Sequence, residues 1–149
     1  MTERRRSTIG RILVPIDFKS QSRKALDYAS DLASDLEADV VVAHVYQIPV
    51  YSFPDGTIIT PPDVAVELAD AAQRNLDKSV DSLRMRGIDV LGVLKNGNPW
   101  EEICHLAEEQ HADLIVMGTH GRHGLTRAIL GSVAENVLRA SHVPVLVMH

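Results

Sequence analysis

Residues 113–148 read DLIVMGTHGRHGLTRAILGSVAENVLRASHVPVLVM. DLIVMG is a short apolar run of the kind found in strands buried on both faces. A loop follows in which Gly118, Gly121, Gly124 and Gly131 are interleaved with His120, Arg122, His123 and Arg127. Ser132 and Glu135 then form S-x-x-E ahead of an apolar helix, a capping-box pattern that starts SVAENVLRA near Ser132. VPVLVM, 143–148, closes the stretch as a second strand. Strand, loop, helix and strand in this order make a crossover unit, whose two strands must run parallel with the helix on one face of their sheet.

The same alternation extends back to the start of the chain. RILVPID, 11–17, is a buried strand ending in an acid, and Ala25, Leu26, Ala29, Leu32, Ala33 and Leu36 mark one stripe of a helix from Ser22. DVVVAHVY, 39–46, repeats the strand signature. A second helix runs from Asp63 to a stop at Gly87, IDVLGVL makes the third strand, and Asn98 with Pro99 opens a third helix. Pro49, Pro54, Gly56, Pro61 and Pro62 crowd 47–62 with breakers, so a long loop is expected there, either partner-facing or a tolerated insertion. The expected order, β α β α β α β α β, is that of an open α/β sheet with helices on both faces. Ligands of such sheets bind beyond the carboxyl ends of the strands, where the strand order reverses.

Composition agrees with this class. The chain has 149 residues, of which 45% are hydrophobic and 23% charged. That length suits a single domain, expected over 9–149, with 1–8 and its Arg4–Arg6 run as a solvated basic tail. A formal charge of −5 leaves no basic face for nucleic acid. No apolar run reaches the length of a membrane span and no signal peptide is visible, so the expected location is the cytoplasm. Cys104 is the only cysteine, which rules out an intramolecular disulfide and a multi-cysteine zinc site and leaves a packing role on a helix face.

The glycine loop leads into a helix N-terminus, where unpaired N–H groups and the helix dipole favour an anion. Glycines let backbone approach a phosphate, and the basic side chains would add charge-assisted hydrogen bonds; a surface turn with solvated basic residues is the plainer alternative. A Walker loop is excluded because no lysine follows, and the dinucleotide fingerprint is excluded by spacing and by position after the fourth strand. A phospho-receiver reading fails as well: the first strand ends in one acid, the third runs into Lys95 and Asn96, and the fifth ends at His149.

Gly118, two residues, Gly121, nine residues, then Gly131 and Ser132 is the G-2x-G-9x-G-(S/T) spacing of ATP-binding universal stress proteins. RILVPIDF, AHVY, GNPWEEI, DLIVMGTHGR and LGSVAENVLRASHVPVLVM also resemble that family, so the resemblance spans nearly the whole chain. It implies a five-stranded parallel sheet of order 3-2-1-4-5, Rossmann-like, with Asp17 facing the glycine loop across one crevice. By similarity Pro15, Ile16 and Asp17 line the nucleoside side and Val45 offers backbone groups to the adenine edge. Met117 and Gly118 lie near the ribose and first phosphate; His120, Gly121, Arg122 and His123 follow the phosphates; Gly131, Ser132 and Val133 supply N–H groups and a hydroxyl. Asp17 could equally be a strand-end acid capping the next turn, and Ser132 has a second use as N-cap. Lys19 and Ser20 depart from the serine that is frequent two residues after the aspartate.

The resemblance implies ATP as ligand, with Mg2+ held mainly through phosphates and water. His120 and His123 have no neighbours in sequence to complete a metal set, and no protein metal site or catalytic residue is expected. The last strand lies at a sheet edge in the expected order, and family members commonly dimerise through it, which implies a homodimer through 143–148. The expected function is a nucleotide-dependent regulatory or stress-response module with an unidentified protein partner. Slow ATP hydrolysis in the same pocket and an empty-pocket interaction protein are the alternatives, and other adenine nucleotides fit the same pattern.

Overall fold

Five apolar runs assemble into one parallel sheet in the computed structural model, which describes residues 9–119 and 130–149. In chain order the elements are β1 (Arg11–Pro15), α1 (Ser20–Leu36), β2 (Asp39–Tyr46), β3 (Val50–Phe53), β4 (Gly56–Ile59), α2 (Pro62–Met85), β5 (Val90–Asn96), α3 (Pro99–Glu109), β6 (Leu114–Gly118), α4 (Ser132–Ala140) and β7 (Val145–Met148). The large sheet has the order β5-β2-β1-β6-β7. Counted without β3 and β4, that is the expected 3-2-1-4-5, with the reversal between β1 and β6.

Strand alternation divides the core between the two faces. Ile12, Val14, Val40 and Val42 point to the side of α1 and α2, where they meet Ala25, Ala29, Leu76 and Val80. Leu13, Val41, Ala43 and Ile115 point to the other, packing with Ile103 and Leu106 of α3 and Val137 of α4. The central strands are buried through their middles because each is covered twice, which is why they read as unbroken apolar runs rather than alternating ones.

At the amino ends of the strands, Asp113 fastens β6 to β1. Its Oδ2 accepts the N–H groups of Gly10 at 2.8 Å and Arg11 at 3.0 Å, while its own N–H donates to the Arg11 carbonyl at 2.8 Å. The β1–β6 register covers only Ile12↔Leu114 and Leu13↔Ile115, so the carboxylate extends a short ladder. Above that point β1 and β6 part, which opens the carboxyl end of the sheet.

The long loop expected at 47–62 is instead an antiparallel hairpin, Val50↔Ile59 to Phe53↔Gly56. The breakers frame it rather than forbid it. Pro49 precedes β3, Pro54 and Asp55 make the turn, Gly56 takes φ 146°, and Pro61 and Pro62 stand after β4. All eight strand residues are exposed, including Tyr51, Phe53 and Ile58. The first three turns of α2 are also free of buried residues, and its core contacts begin at Ala72.

Candidate functional site

β1 ends in a tight turn that determines where its terminal acid points. Phe18 adopts φ 65°, a left-handed conformation that is an outlier for a bulky side chain. The Asp17 N–H donates to Ser22 Oγ at 3.2 Å, Ser22 Oγ donates to the Lys19 carbonyl at 3.0 Å, and Asp17 Oδ1 accepts the Lys19 N–H at 3.0 Å. Asp17 therefore does act as an acid that closes the following turn. Lys19, the N-cap residue of α1, makes no side-chain cap bond.

The first turn of α1 joins the two sides of the opening. Gly118, at the end of β6, lies so close to it that a Cβ would fall 2.8 Å from the backbone C and O of Gln21 and 3.0 Å from the Ser22 N. Thr119, buried beside it, donates Oγ1–H to Gln21 Oε1 at 2.9 Å and its N–H to the Met148 carbonyl at 2.8 Å. Gly118 is thus required by the approach of a helix backbone to a strand, whatever else lies near it. Gln21, Ser22 and Thr119 received no role in the sequence reading. The motif DLIVMGTHGR contains Thr119, but only the packing reveals that it ties β6 to α1.

On the far side of the reversal, α4 begins at Ser132, as the sequence suggested, but the cap differs. Gly131 is the N-cap residue, with φ −66° and ψ 157°, and no side chain caps the helix. The Glu135 N–H bonds back to the Gly131 carbonyl at 2.9 Å, while the Glu135 carboxylate takes Arg139 Nη2 at 2.7 Å. The expected capping box is therefore not formed. The S-x-x-E spacing is present, but the helix starts one residue earlier than a Ser132 cap requires, placing Ser132 inside the first turn. Ser132 is exposed, and among the described residues its hydroxyl makes no hydrogen bond and the first-turn N–H groups of α4 have no side-chain acceptor.

Val45 lies on β2 two residues past Ala43, beyond the last rung with β1, Pro15↔Ala43. Its ladder partner on the other side is Lys95 of β5. Pro15, Ile16, Asp17, Val45, Met117, Gly118, Gly131, Ser132 and Val133 all stand at the carboxyl ends of β1, β2 and β6 or at the start of α4. His120, Gly121, Arg122 and His123, like Arg127 and the tail at 1–8, lie outside the described residues.

Two further expectations concern chemistry away from this opening. Cys104 is half-buried on α3, and burial, reinforced by the Glu108 carboxylate, raises its thiol pKa. A thiol so held stays protonated and is a poor nucleophile. Among the described residues no group of three or more His, Cys, Asp or Glu gathers to hold a metal ion, and no helix is long and apolar enough to cross a membrane.

Comparison with known proteins meets this geometry. The family model described as "Universal stress protein family" matches residues 8–149. The chain is 34% identical over 140 residues to universal stress protein MJ0531 of Methanocaldococcus jannaschii, covering 93% of this chain and 81% of that one. The crystal structure of a universal stress protein family member from Burkholderia pseudomallei superposes with a TM-score of 0.75 at 30% identity, covering 95% of this chain and 97% of its own. A universal stress protein solved in complex with cAMP superposes with a TM-score of 0.67 at 27% identity, covering 95% and 97%.

Proposed function

The chain belongs to the universal stress protein family, and from that premise we propose that it binds an adenine nucleotide, ATP in the first instance, in the opening between β1, β2, β6 and α4. The observation that carries this reading is the start of α4. Among the described residues no side chain caps the N–H groups that Gly131, Ser132 and Val133 present, and none engages the Ser132 hydroxyl, at the end of the sheet where the strand order reverses. Such donors suit a phosphate, whose charge the helix dipole also favours. Pro15, Ile16 and Asp17 would line the nucleoside side and Val45 the adenine edge. Met117 and Gly118 would lie beside the ribose and first phosphate, and His120, Gly121, Arg122 and His123 would follow the phosphates. Mg2+ would be carried on phosphates and water, in keeping with the reluctance of that ion to shed its hydration.

In this reading the protein is a cytoplasmic regulatory module of a single domain over 9–149, paired as a homodimer through the half-buried edge strand at 143–148. Nucleotide occupancy would alter the surface it shows to a protein partner. The relative solved with cAMP supports keeping the ligand class at adenine nucleotides.

The test is to purify the protein without added nucleotide, release any ligand by heat, and identify it by chromatography and mass spectrometry. Stoichiometric ATP is expected. Stoichiometric ADP would move the reading to slow hydrolysis in the same pocket. An empty protein that takes neither Mg-ATP nor cAMP in calorimetry would overturn the nucleotide assignment.

A further inference from the structure

The β1–β2 ladder stops one hydrogen bond early, and a side chain occupies the place of the missing bond. The Ile16 N–H donates to the Ala43 carbonyl at 2.8 Å, so in a parallel ladder the Ile16 carbonyl would next accept the Val45 N–H. It accepts His44 Nδ1–H instead, at 2.7 Å. A carbonyl can only accept, which makes Nδ1 the protonated nitrogen of this ring.

Strand alternation shows what this leaves behind. Successive peptide groups of a strand face opposite edges, and the Ala43 carbonyl faces β1. Val45, two residues on, turns its N–H to the same edge. The Tyr46 carbonyl faces the other way and accepts the Gly97 N–H at 3.1 Å. The Val45 N–H thus points into the gap that opens as β1 turns away through Asp17 and Phe18.

The same imidazole supports that turn from its other end. The rings of His44 and Phe18 lie in close, tilted contact, with centroids 4.4 Å apart and planes at 49°. One side chain therefore contacts the residues on either side of Asp17.

We propose that His44 is a positioning residue for the nucleotide crevice: by capturing the Ile16 carbonyl it keeps β1 from closing on β2 and leaves the Val45 N–H as a donor to the base edge of an adenine nucleotide. The inference rests on the nucleotide reading above and adds to it the residue that holds the crevice open. Replacing the donor lets the ladder gain its missing bond, with the Ile16 carbonyl taking the Val45 N–H.

The experiment combines nitrogen-15 NMR of the full chain with calorimetry against Mg-ATP and cAMP, on wild type, His44→Phe and His44→Asn. In wild type the neutral His44 is expected as the Nδ1–H tautomer, and the Val45 amide is expected to exchange freely until nucleotide protects it. His44→Phe keeps a ring against Phe18 but has no donor; it is expected to bind about tenfold more weakly, the effect of one hydrogen bond, with Val45 protected before ligand is added. His44→Asn places an amide N–H where Nδ1 stood and is expected to stay within about threefold of wild type. An Nε2–H tautomer overturns the role of His44 even if the phenylalanine variant does not fold. So does a folded His44→Phe protein with wild-type affinity and a freely exchanging Val45 amide. Wild type that binds neither nucleotide overturns the nucleotide reading, and the functional role of His44 falls with it.

Discussion

Gly118 shows how a residue chosen for one reason can be required for another. Its place in the glycine spacing pointed to a ligand, whereas its nearest neighbours are the backbone atoms of Gln21 and Ser22. Gly118→Ala is expected to destabilise the fold by about 1–3 kcal/mol, as overpacking does, measured by urea denaturation without any nucleotide present. An unchanged midpoint would mean that α1 can yield there. Ser132→Ala makes the opposite pair of expectations. With no cap bond to lose, its stability should stay within about 0.5 kcal/mol of wild type, while calorimetry should show Mg-ATP affinity reduced by about threefold to tenfold. A clear fall in melting temperature would restore the capping role. Cys104 should react slowly with a thiol reagent at neutral pH, since its raised pKa keeps the nucleophilic thiolate scarce; labelling as fast as a free thiol would contradict its environment. At this scale the residue types that suit an anion were legible, but not the partners they choose. Ser132 and Glu135 have the spacing of a capping box and do not make one, and nothing in AHVY indicates that His44 reaches the Ile16 carbonyl.

Among the elements, α2 divides the legible from the illegible. Its apolar residues recur at helical spacing throughout, yet Val66 and Leu68 are exposed while Leu76, Val80 and Leu83 are buried against the sheet. A helix of 24 residues extends roughly 36 Å, longer than the seven-residue β5 beside it can cover. Periodicity reports which side of a helix is apolar but not where along its length the sheet ends. Leu76→Ala is expected to lose about 2–5 kcal/mol and Leu68→Ala less than about 0.5 kcal/mol, in parallel thermal or urea melts. Similar losses would mean that the first turns of α2 pack on something the monomer does not supply. The hairpin was hidden for a different reason. Each breaker argued against regular structure in isolation, and only their spacing, with Pro-Asp-Gly at 54–56 between two β-branched and aromatic runs, encodes a turn with two strands.

For the molecule as a whole, alternation of strand and helix carried nearly all of the architecture. Doubly covered strands must be apolar throughout, so the central β1, β2 and β6 were visible as runs, and right-handed crossovers limited the order they could take. Among the described residues that order leaves β7 at one edge, paired only with β6. An apolar edge strand is a template for another chain, with Pro144 just before it limiting how far a ladder could extend. Sedimentation at micromolar concentration is expected to give twice the chain mass of 16.4 kDa. A species of 16.4 kDa would assign the edge to its own tail instead.

The hairpin of β3 and β4 has one more consequence, for anyone who wishes to alter this protein. Its tip at Pro54 and Asp55 is exposed, both its strands are exposed, and the parallel sheet closes without it. Foreign peptide grafted between those two residues would enter a position where the chain already leaves the body and returns. A fluorophore or affinity handle could be carried there while β1, β2 and β6 keep their register, so that the crevice could be watched from outside without being touched.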